Sequence, residues 1–350
     1  LAIWDSGEKR LVLCRDRLGV KPLFYTIKNG TLVFGSEQKA LFCYPEVFPE
    51  ADEDSFREIF GIGPARSPGT GVFKGVREVL PGRLAIFSEN GFEEHSYWSL
   101  EARRHTDNYS ETVDKVSFLL RDAVKRQMVS DVPVCTFLSG GVDSSVVTAI
   151  ASDFLKKQGK TLNTFSFDFT HNDEFFKANS FQPTRDRPYV DKVLKEYPLR
   201  HTYLECDEAT LAELLPRAVE SKDLPGMTDV DTSLMFFCSE VKKHNKVALT
   251  GECSDEIFGG YPWFYREELF YADGFPWSFD ISARVSLLSD EAIRRLELED
   301  YVRARYEESR KETPVLPGED GDERRRREVC YLNIRWFMQT LLDRMDRASM

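Results

Sequence analysis

The stretch Val132-Pro133-Val134-Cys135-Thr136-Phe137-Leu138-Ser139-Gly140-Gly141-Val142-Asp143-Ser144-Ser145 decides how this chain folds. Residues 135–138 are short and mostly apolar, the pattern of a strand covered on both faces. Gly140 and Gly141 supply the freedom in φ that a sharp strand-to-helix turn requires. A helix continues through Val146-Val147-Thr148-Ala149-Ile150-Ala151, and Ser144 or Ser145 is placed to cap it. Such a loop turns backbone N–H groups and a positive helix end outward, which makes an anion site. No Gly-Lys-Ser/Thr follows the glycines, so this is not a Walker loop. Asp143 inside an anion site calls for a cation beside the anion, and a magnesium–polyphosphate supplies both. The plainer alternative is an ordinary helix start in a parallel sheet, where Gly, Ser and Asp are common.

Outward from this loop the chain alternates. Residues 107–130 place Val113, Val116, Leu119, Leu120, Ala123 and Val124 at helical spacing, with Asn108 or Ser110 as cap. After the loop, its helix runs to about residue 157. A strand at 162–167, a helix at 189–197 and a strand at 201–205 come next. Helices near 208–220 and 232–244 precede a strand at 247–250. This alternation makes an α/β fold with a doubly wound, mostly parallel sheet. Ligands in such sheets sit beyond the carboxyl ends of the strands, near the switch in strand order. Ser139, Asp168 and Gly251 all fall just past such ends.

The last of these strands delivers Thr250-Gly251-Glu252-Cys253-Ser254-Asp255-Glu256-Ile257-Phe258-Gly259-Gly260-Tyr261. Three carboxylates so close together are costly unless cations share their charge. If the two loops meet, Asp143 and Asp255 hold magnesium on a triphosphate while Glu252 faces the acceptor; an acidic surface loop is the alternative. Residues 178–188 form a polar, proline-bounded loop that either closes over substrate or is an exposed connection. Asp229 and Asp231 read as caps for a helix opening at Thr232, and residues 261–265 as an aromatic packing anchor. Beyond 279 the pattern is helical, at 281–288, 291–308 and 323–345. The last segment carries a stripe of Trp336, Phe337, Thr340, Leu341 and Met345.

Residues 1–98 read as short strands. Turn residues separate 1–4 from 11–15, and Asn29-Gly30 and Asn90-Gly91 mark two hairpins. A short helix at 36–41 packs on the resulting antiparallel sheet. Residues 61–64 and 67–71 are rich in Gly and Pro and read as loop. Cys14 reads as a structural cysteine rather than a nucleophile.

Composition excludes several classes. The 350 residues suggest two domains at about 150 each. A net charge of −12 without a basic stripe argues against nucleic acid. Arg324-Arg325-Arg326-Arg327 follows four acids and reads as a solvated helix face. No apolar run approaches the ~20 residues of a membrane span. The seven cysteines form no CxxC, which fits reduced core residues in a cytoplasmic protein and argues against zinc.

Three motifs carry a family resemblance. Ser139-Gly140-Gly141-Val142-Asp143-Ser144 resembles the pyrophosphate loop of the ATP pyrophosphatases, which adenylate substrates and release pyrophosphate. Gly251-Glu252-Cys253-Ser254-Asp255-Glu256-Ile257-Phe258-Gly259-Gly260-Tyr261 resembles the asparagine synthetase signature. Arg15 to Tyr25, Arg-Asp-Arg-Leu-Gly-Val-Lys-Pro-Leu-Phe-Tyr, with Gly35-Ser36-Glu37-Gln38-Lys39-Ala40-Leu41, is similar to the second half of a class II amidotransferase glutaminase domain. The resemblance implies an adenine nucleotide α-hydrolase-like sheet over 99–350, preceded by part of an α+β Ntn-hydrolase-like antiparallel domain over 1–98. It further implies an internal fragment, with the glutaminase cysteine preceding Leu1 and a family lysine following Met350.

The site residues follow from the same resemblance. Ser139, Gly140, Gly141, Asp143 and Ser144 would cradle pyrophosphate, with Asp143 and Asp255 on magnesium. Leu138, Phe167, Thr250 and Gly251 would contact adenosine. Glu252 would serve the β-aspartyl-adenylate step. Arg344, in Asp343-Arg344-Met345-Asp346-Arg347, would contact the adenylate phosphate. Thr250 stands where Ser is usual, and Cys253 where Gly is common, which puts the loop's geometry in question. The implied reaction converts aspartate to asparagine with ATP and Mg2+, through β-aspartyl-AMP, using ammonia from glutamine and releasing AMP and pyrophosphate. Its partners are small molecules, with a homodimer left open. The alternative is a β-lactam-synthetase-like or peptide-modifying cyclase that adenylates another carboxylate. A non-enzymatic regulatory protein is disfavoured by the presence of Asp143, Glu252 and Asp255 together.

Overall fold

Alternating side chains on short strands build two amino-terminal sheets and one parallel sheet. The computed structural model describes residues 1–178, 183–278 and 280–350. The amino-terminal strands are β1 (Ala2–Asp5), β2 (Arg10–Cys14), β3 (Phe24–Lys28), β4 (Thr31–Gly35), β5 (Arg77–Glu78), β6 (Arg83–Ser88) and β7 (Gly91–Ser96). They form antiparallel sheets of order β1-β2-β6-β7 and β4-β3-β5 rather than the single sheet expected. Both Asn-Gly hairpins are present, pairing Lys28 with Thr31 and Ser88 with Gly91. Between β4 and β5 in the chain, Asp52 and Ser55 form a capping box that starts the helix Glu53–Arg57, which runs on as a π-helical turn, Glu58–Ile62. The sequence reading had no helix there.

The parallel sheet contains β8 (Val134–Phe137), β9 (Leu162–Phe169), β10 (Leu199–Cys206) and β11 (Val247–Leu249), ordered β10-β9-β8-β11. The chain moves outward from β8 through β9 to β10, then returns to the far side of β8. The switch point therefore lies between β8 and β11. Successive side chains of β8 face opposite layers. Val134 joins a core with Val124, Ile150, Leu162 and Leu249, under the helices Tyr109–Gln127 and Val142–Lys156. Cys135 joins Phe165, Phe237 and Val241, beneath the helix Thr228–Lys242. Coverage on both faces is what a doubly wound sheet needs.

Several local expectations change. Helix Val142–Lys156 is capped by Gly141 backbone, not by Ser144 or Ser145. Helix Thr228–Lys242 opens four residues early, and Asp231 lies buried 3.6 Å from Lys222 rather than serving as a cap. The 291–308 helix is two, Asp290–Leu296 and Leu298–Glu312, divided at Glu297 in a left-handed conformation. Only Ser282–Val285 is helical within 281–288. Arg325 is not solvated: its guanidinium donates to the carbonyls of Phe270 and Ala272 and pairs with Glu328. Of the loop 178–188, residues 179–182 lie outside the described residues. Among the described residues all seven cysteines are free thiols, and no helix is long and apolar enough to cross a membrane.

The chain ends in the helices Gly321–Leu332 and Met338–Ser349, joined by a π-helical turn, Asn333–Phe337. Trp336 and Leu341 of the expected stripe are buried. Asp343 is buried 3.2 Å from Arg66 and 3.6 Å from Arg347. Burial opposes its ionisation, but Arg66, Lys222 and Arg347 together hold the carboxyl below the usual aspartate range.

Breaking a buried pair costs about 3 kcal/mol, so Asp343→Asn is expected to lower the thermal midpoint sharply at neutral pH. The unfolded chain protonates this group first as pH falls. Its stabilisation is therefore complete above the unfolded value, about pH 4, and is lost as pH drops through the lower folded value. The gap in midpoint between wild type and variant should close under acid, and a pH-independent gap refutes the ionic account.

Candidate active site

Loop Ser139–Gly141 is held from three sides. The Leu138 amide donates to the Phe165 carbonyl at 2.8 Å, and the Ser166 hydroxyl donates to the Leu138 carbonyl. Thr136 and Thr148 join strand to helix through buried hydroxyls 2.9 Å apart. Ser144 reaches back to Gly141 carbonyl at 3.2 Å and lies 3.0 Å from the Ser139 hydroxyl, closing the loop on itself. Gly140 has φ +82°, and a Cβ there would lie 2.8 Å from the Val190 amide nitrogen. Glycine is thus needed both for conformation and for the close approach of the helix Arg187–Glu196. With no side-chain cap on helix Val142–Lys156, its first N–H groups point into the loop.

The acidic loop comes up against this one. A Cβ on Gly251 would sit 2.7 Å from the Ser144 amide and 2.9 Å from Asp143 Cβ, so the two loops touch at backbone level. Beyond it, Cys253 adopts φ +70°, the left-handed region that favours glycine, and starts the short helix Ser254–Phe258. Glycine takes such a backbone without strain, and here a cysteine adopts it. Its thiol is pushed up to about 12, first by burial and then by Glu256 and Glu252, which makes it a poor nucleophile. A Cβ on Gly260 would collide with the Asp255 carboxylate, so that glycine makes room for it.

Asp143 and Asp255 face each other across the junction. Burial raises the Asp143 carboxyl; burial and then the Asp143 charge raise Asp255. Among the described residues no basic side chain offsets either shift. Two such carboxylates fit one divalent cation whose shell is completed by phosphate oxygens and water. Among the described residues no group of three or more His, Cys, Asp or Glu gathers to hold a metal unaided. Glu256, next in line, is buried with its carboxyl raised, and accepts a 2.6 Å hydrogen bond from Tyr261. The expected aromatic anchor is real: Tyr261 stacks on Trp263 with centroids 4.4 Å apart.

Glu252 and Arg344 meet, although 92 residues separate them. Arg344 Nη2 lies 2.6 Å from Glu252 Oε1, and both side chains are largely shielded from solvent. The resemblance had given them separate tasks, and the sequence held no signal for this pairing. Leu138, Ser139 and Phe167 line a cleft of about 300 Å³, with Phe137, Phe237 and Asp168. Thr250 and Gly251 lie outside its lining, at the loop junction. Arg187 and Tyr203 form a wall that sequence reasoning missed; the guanidinium lies over the Tyr203 ring at 4.2 Å.

Two outcomes follow for stability. A carboxyl whose folded pKa is raised destabilises the fold above that value and not below the unfolded one. Asp255→Asn should therefore raise the thermal midpoint of the ligand-free protein at pH 7, with the gain fading as the pH falls through the raised folded value and gone below the ordinary aspartate range. A lower midpoint at pH 7 contradicts the electrostatic picture. At position 253, Gly should be more stable than Ala by about 1 kcal/mol, because only the side chain resists positive φ; denaturant melts of the two variants measure the difference.

The asparagine synthase family model matches residues 115–350, and the glutamine amidotransferase domain model matches residues 1–98. The chain is 49% identical over 350 residues to asparagine synthetase [glutamine-hydrolyzing] 3 of Bacillus subtilis (strain 168), covering 100% of this chain and 57% of that protein. Asparagine synthetase [glutamine-hydrolyzing] 1 of the same organism is 31% identical over 268 residues, 76% of this chain and 40% of that protein. Amidase chyE of Penicillium rubens is 31% identical over 276 residues, again 76% and 40%. The chain thus spans about half the length of the curated relatives it matches. With the family model spanning most of its length, the two loops described above sit in a chain that belongs to the asparagine synthase family.

Proposed function

We propose that the protein containing this chain makes asparagine from aspartate, with ATP as activator and glutamine as the source of ammonia. Residues 1–98 are read as the carboxy-terminal half of the glutaminase unit and 99–350 as the synthetase unit. The aspartate β-carboxylate attacks the α-phosphorus of ATP and pyrophosphate leaves. Ammonia then displaces AMP from the β-aspartyl-adenylate. A free carboxylate is a poor acyl donor until its oxygen joins a good leaving group, which is what adenylation provides.

The residues divide this work by position. Ser139, Gly140, Gly141 and Ser144 offer hydroxyls and helix-end amides to the departing pyrophosphate. Leu138 and Phe167 give the adenosine an apolar wall, with Thr250 and Gly251 on the side of the loop junction. Asp143 and Asp255 would hold Mg2+, which supplies neutralising charge to the phosphates when bound. Arg344 stands where negative charge grows on the α-phosphate. Glu252 orients Arg344 in the resting site and takes up ammonia's proton after attack on the adenylate. The observation that carries this reading is the backbone contact of Gly251 with Asp143 and Ser144. It brings an anion loop and two carboxyls raised by burial to one point.

The test is pyrophosphate release by the full protein against a panel of carboxylates. Release is expected with aspartate alone, with asparagine forming once ammonia or glutamine is added. Equal release with other acids would replace this reading by the cyclase-like one. Asp143→Ala should lower the rate by about a hundredfold or more while the protein still melts cooperatively; an unchanged rate removes Asp143 from the site.

A further inference from the structure

A set of buried ionic groups that the proposed reaction does not use lies between the amino-terminal sheets and the last helix. Glu78 Oε1 takes Arg15 at 2.9 Å and Arg66 at 3.3 Å. Arg66 continues to Asp343 at 3.2 Å, and Arg347 stands 3.6 Å from the other Asp343 oxygen. The Arg66 and Arg347 guanidiniums both lie over Phe24, at 5.2 and 5.8 Å from a ring that has no solvent exposure. Stability alone does not call for this arrangement, since apolar side chains of similar volume hold such interfaces as well or better.

The helix Met338–Ser349 indicates what the ions do. Gln339, Asp343, Asp346, Arg347 and Met350 recur on one face, and all reach the amino-terminal part. Gln339 donates to the Leu18 carbonyl at 2.7 Å, and Lys21 pairs with Asp346 at 2.9 Å and approaches the Met350 sulfur at 3.5 Å. Arg347 donates to the Ser36 carbonyl at 2.9 Å. One residue on from Asp343, about 100° round the helix, Arg344 reaches Glu252 instead. The rotation of the helix that aligns Asp343 with Arg66 is therefore the rotation that aims Arg344.

We propose that Asp343 is a positioning residue: clamped between Arg66 and Arg347, it fixes the angle at which Arg344 enters the adenylation site. This rests on the reading of Arg344 and Glu252 as parts of that site. Asp343 touches no reactant and acts only through its neighbour. The amino-terminal part accordingly has a share in synthesis that is separate from supplying ammonia, because Arg66 and Glu78 belong to it.

The experiment measures aspartate-dependent pyrophosphate release, with ammonia as nitrogen donor, in the full protein carrying Asp343→Asn, Arg344→Ala or both. Asp343→Asn is expected to lower kcat about tenfold with KM for aspartate held within about twofold. In the Arg344→Ala background the same change should cost less than about twofold, because the route through Arg344 is already cut. Arg66→Lys, which keeps the charge but loses the planar fork, should repeat the pattern at smaller amplitude and serves if Asp343→Asn does not fold. Lys39→Met is the control. It severs another tie between the same parts, from Lys39 to Asp223 at 3.2 Å, and should lower the thermal midpoint without lowering kcat. Equal losses in both Arg344 backgrounds, an unchanged kcat, or a comparable kcat loss in Lys39→Met overturns the proposal. A wild type that releases no pyrophosphate with aspartate overturns the adenylation reading, and the proposal with it.

Discussion

The contact between Gly251 and the backbone of Asp143 and Ser144 is the constraint on which the site depends. It exists because β11 pairs directly with β8, placing Leu249 beside Thr136 and sending both loops off the same edge of the sheet. Neither loop is unusual alone. Together they bring a helix N-terminus, two carboxylates and an arginine–glutamate pair to one end of the sheet. Any side chain at 251 would wedge the halves apart, whatever its chemistry.

Charge is distributed very differently on the two sides of the last helix. Toward the amino-terminal sheets, carboxylates and guanidiniums are matched, and Asp343 is stabilised as an anion. Toward the site, Asp143 and Asp255 have no basic partner among the described residues and are destabilised as anions. The first pattern belongs to a group that holds structure, and the second is the pattern common at functional sites. The five-residue segment 343–347 contains both kinds of position, and its sequence repeats Asp-Arg on either side of Met345. Composition treats the two repeats as equivalent, and only the direction of each side chain separates them.

What was legible in the sequence followed local rules. Both Asn-Gly hairpins, the strand alternation from β8 to β11 and the small-residue loop are set by backbone preference and periodicity, which neighbours share. Asp52 and Ser55, three residues apart, form the capping box of a helix that was not assigned from the sequence. Long-range pairing was not legible. Arg325 looked like one of four equivalent arginines, and its buried bonds to Phe270 and Ala272 depend on chain that passes over it from fifty residues upstream. Asp231 looked like a helix cap and instead meets Lys222. The meeting of Glu252 with Arg344 belongs to the same class, since only the tertiary fold sets which charges become neighbours.

That last pair gives the resting site a built-in counter-ion. Glu252 lies 2.6 Å from Arg344, and a tethered carboxylate acts at a local concentration that dilute free anions do not match. Lone phosphate or a stray metabolite must outcompete it with a single contact. In the proposed reaction, a nucleotide held at its adenosine and its leaving group would displace it, because those contacts would already hold the α-phosphate in place. On that reading the internal ion pair would act as a threshold, admitting ligands by the number of their attachments rather than by charge alone.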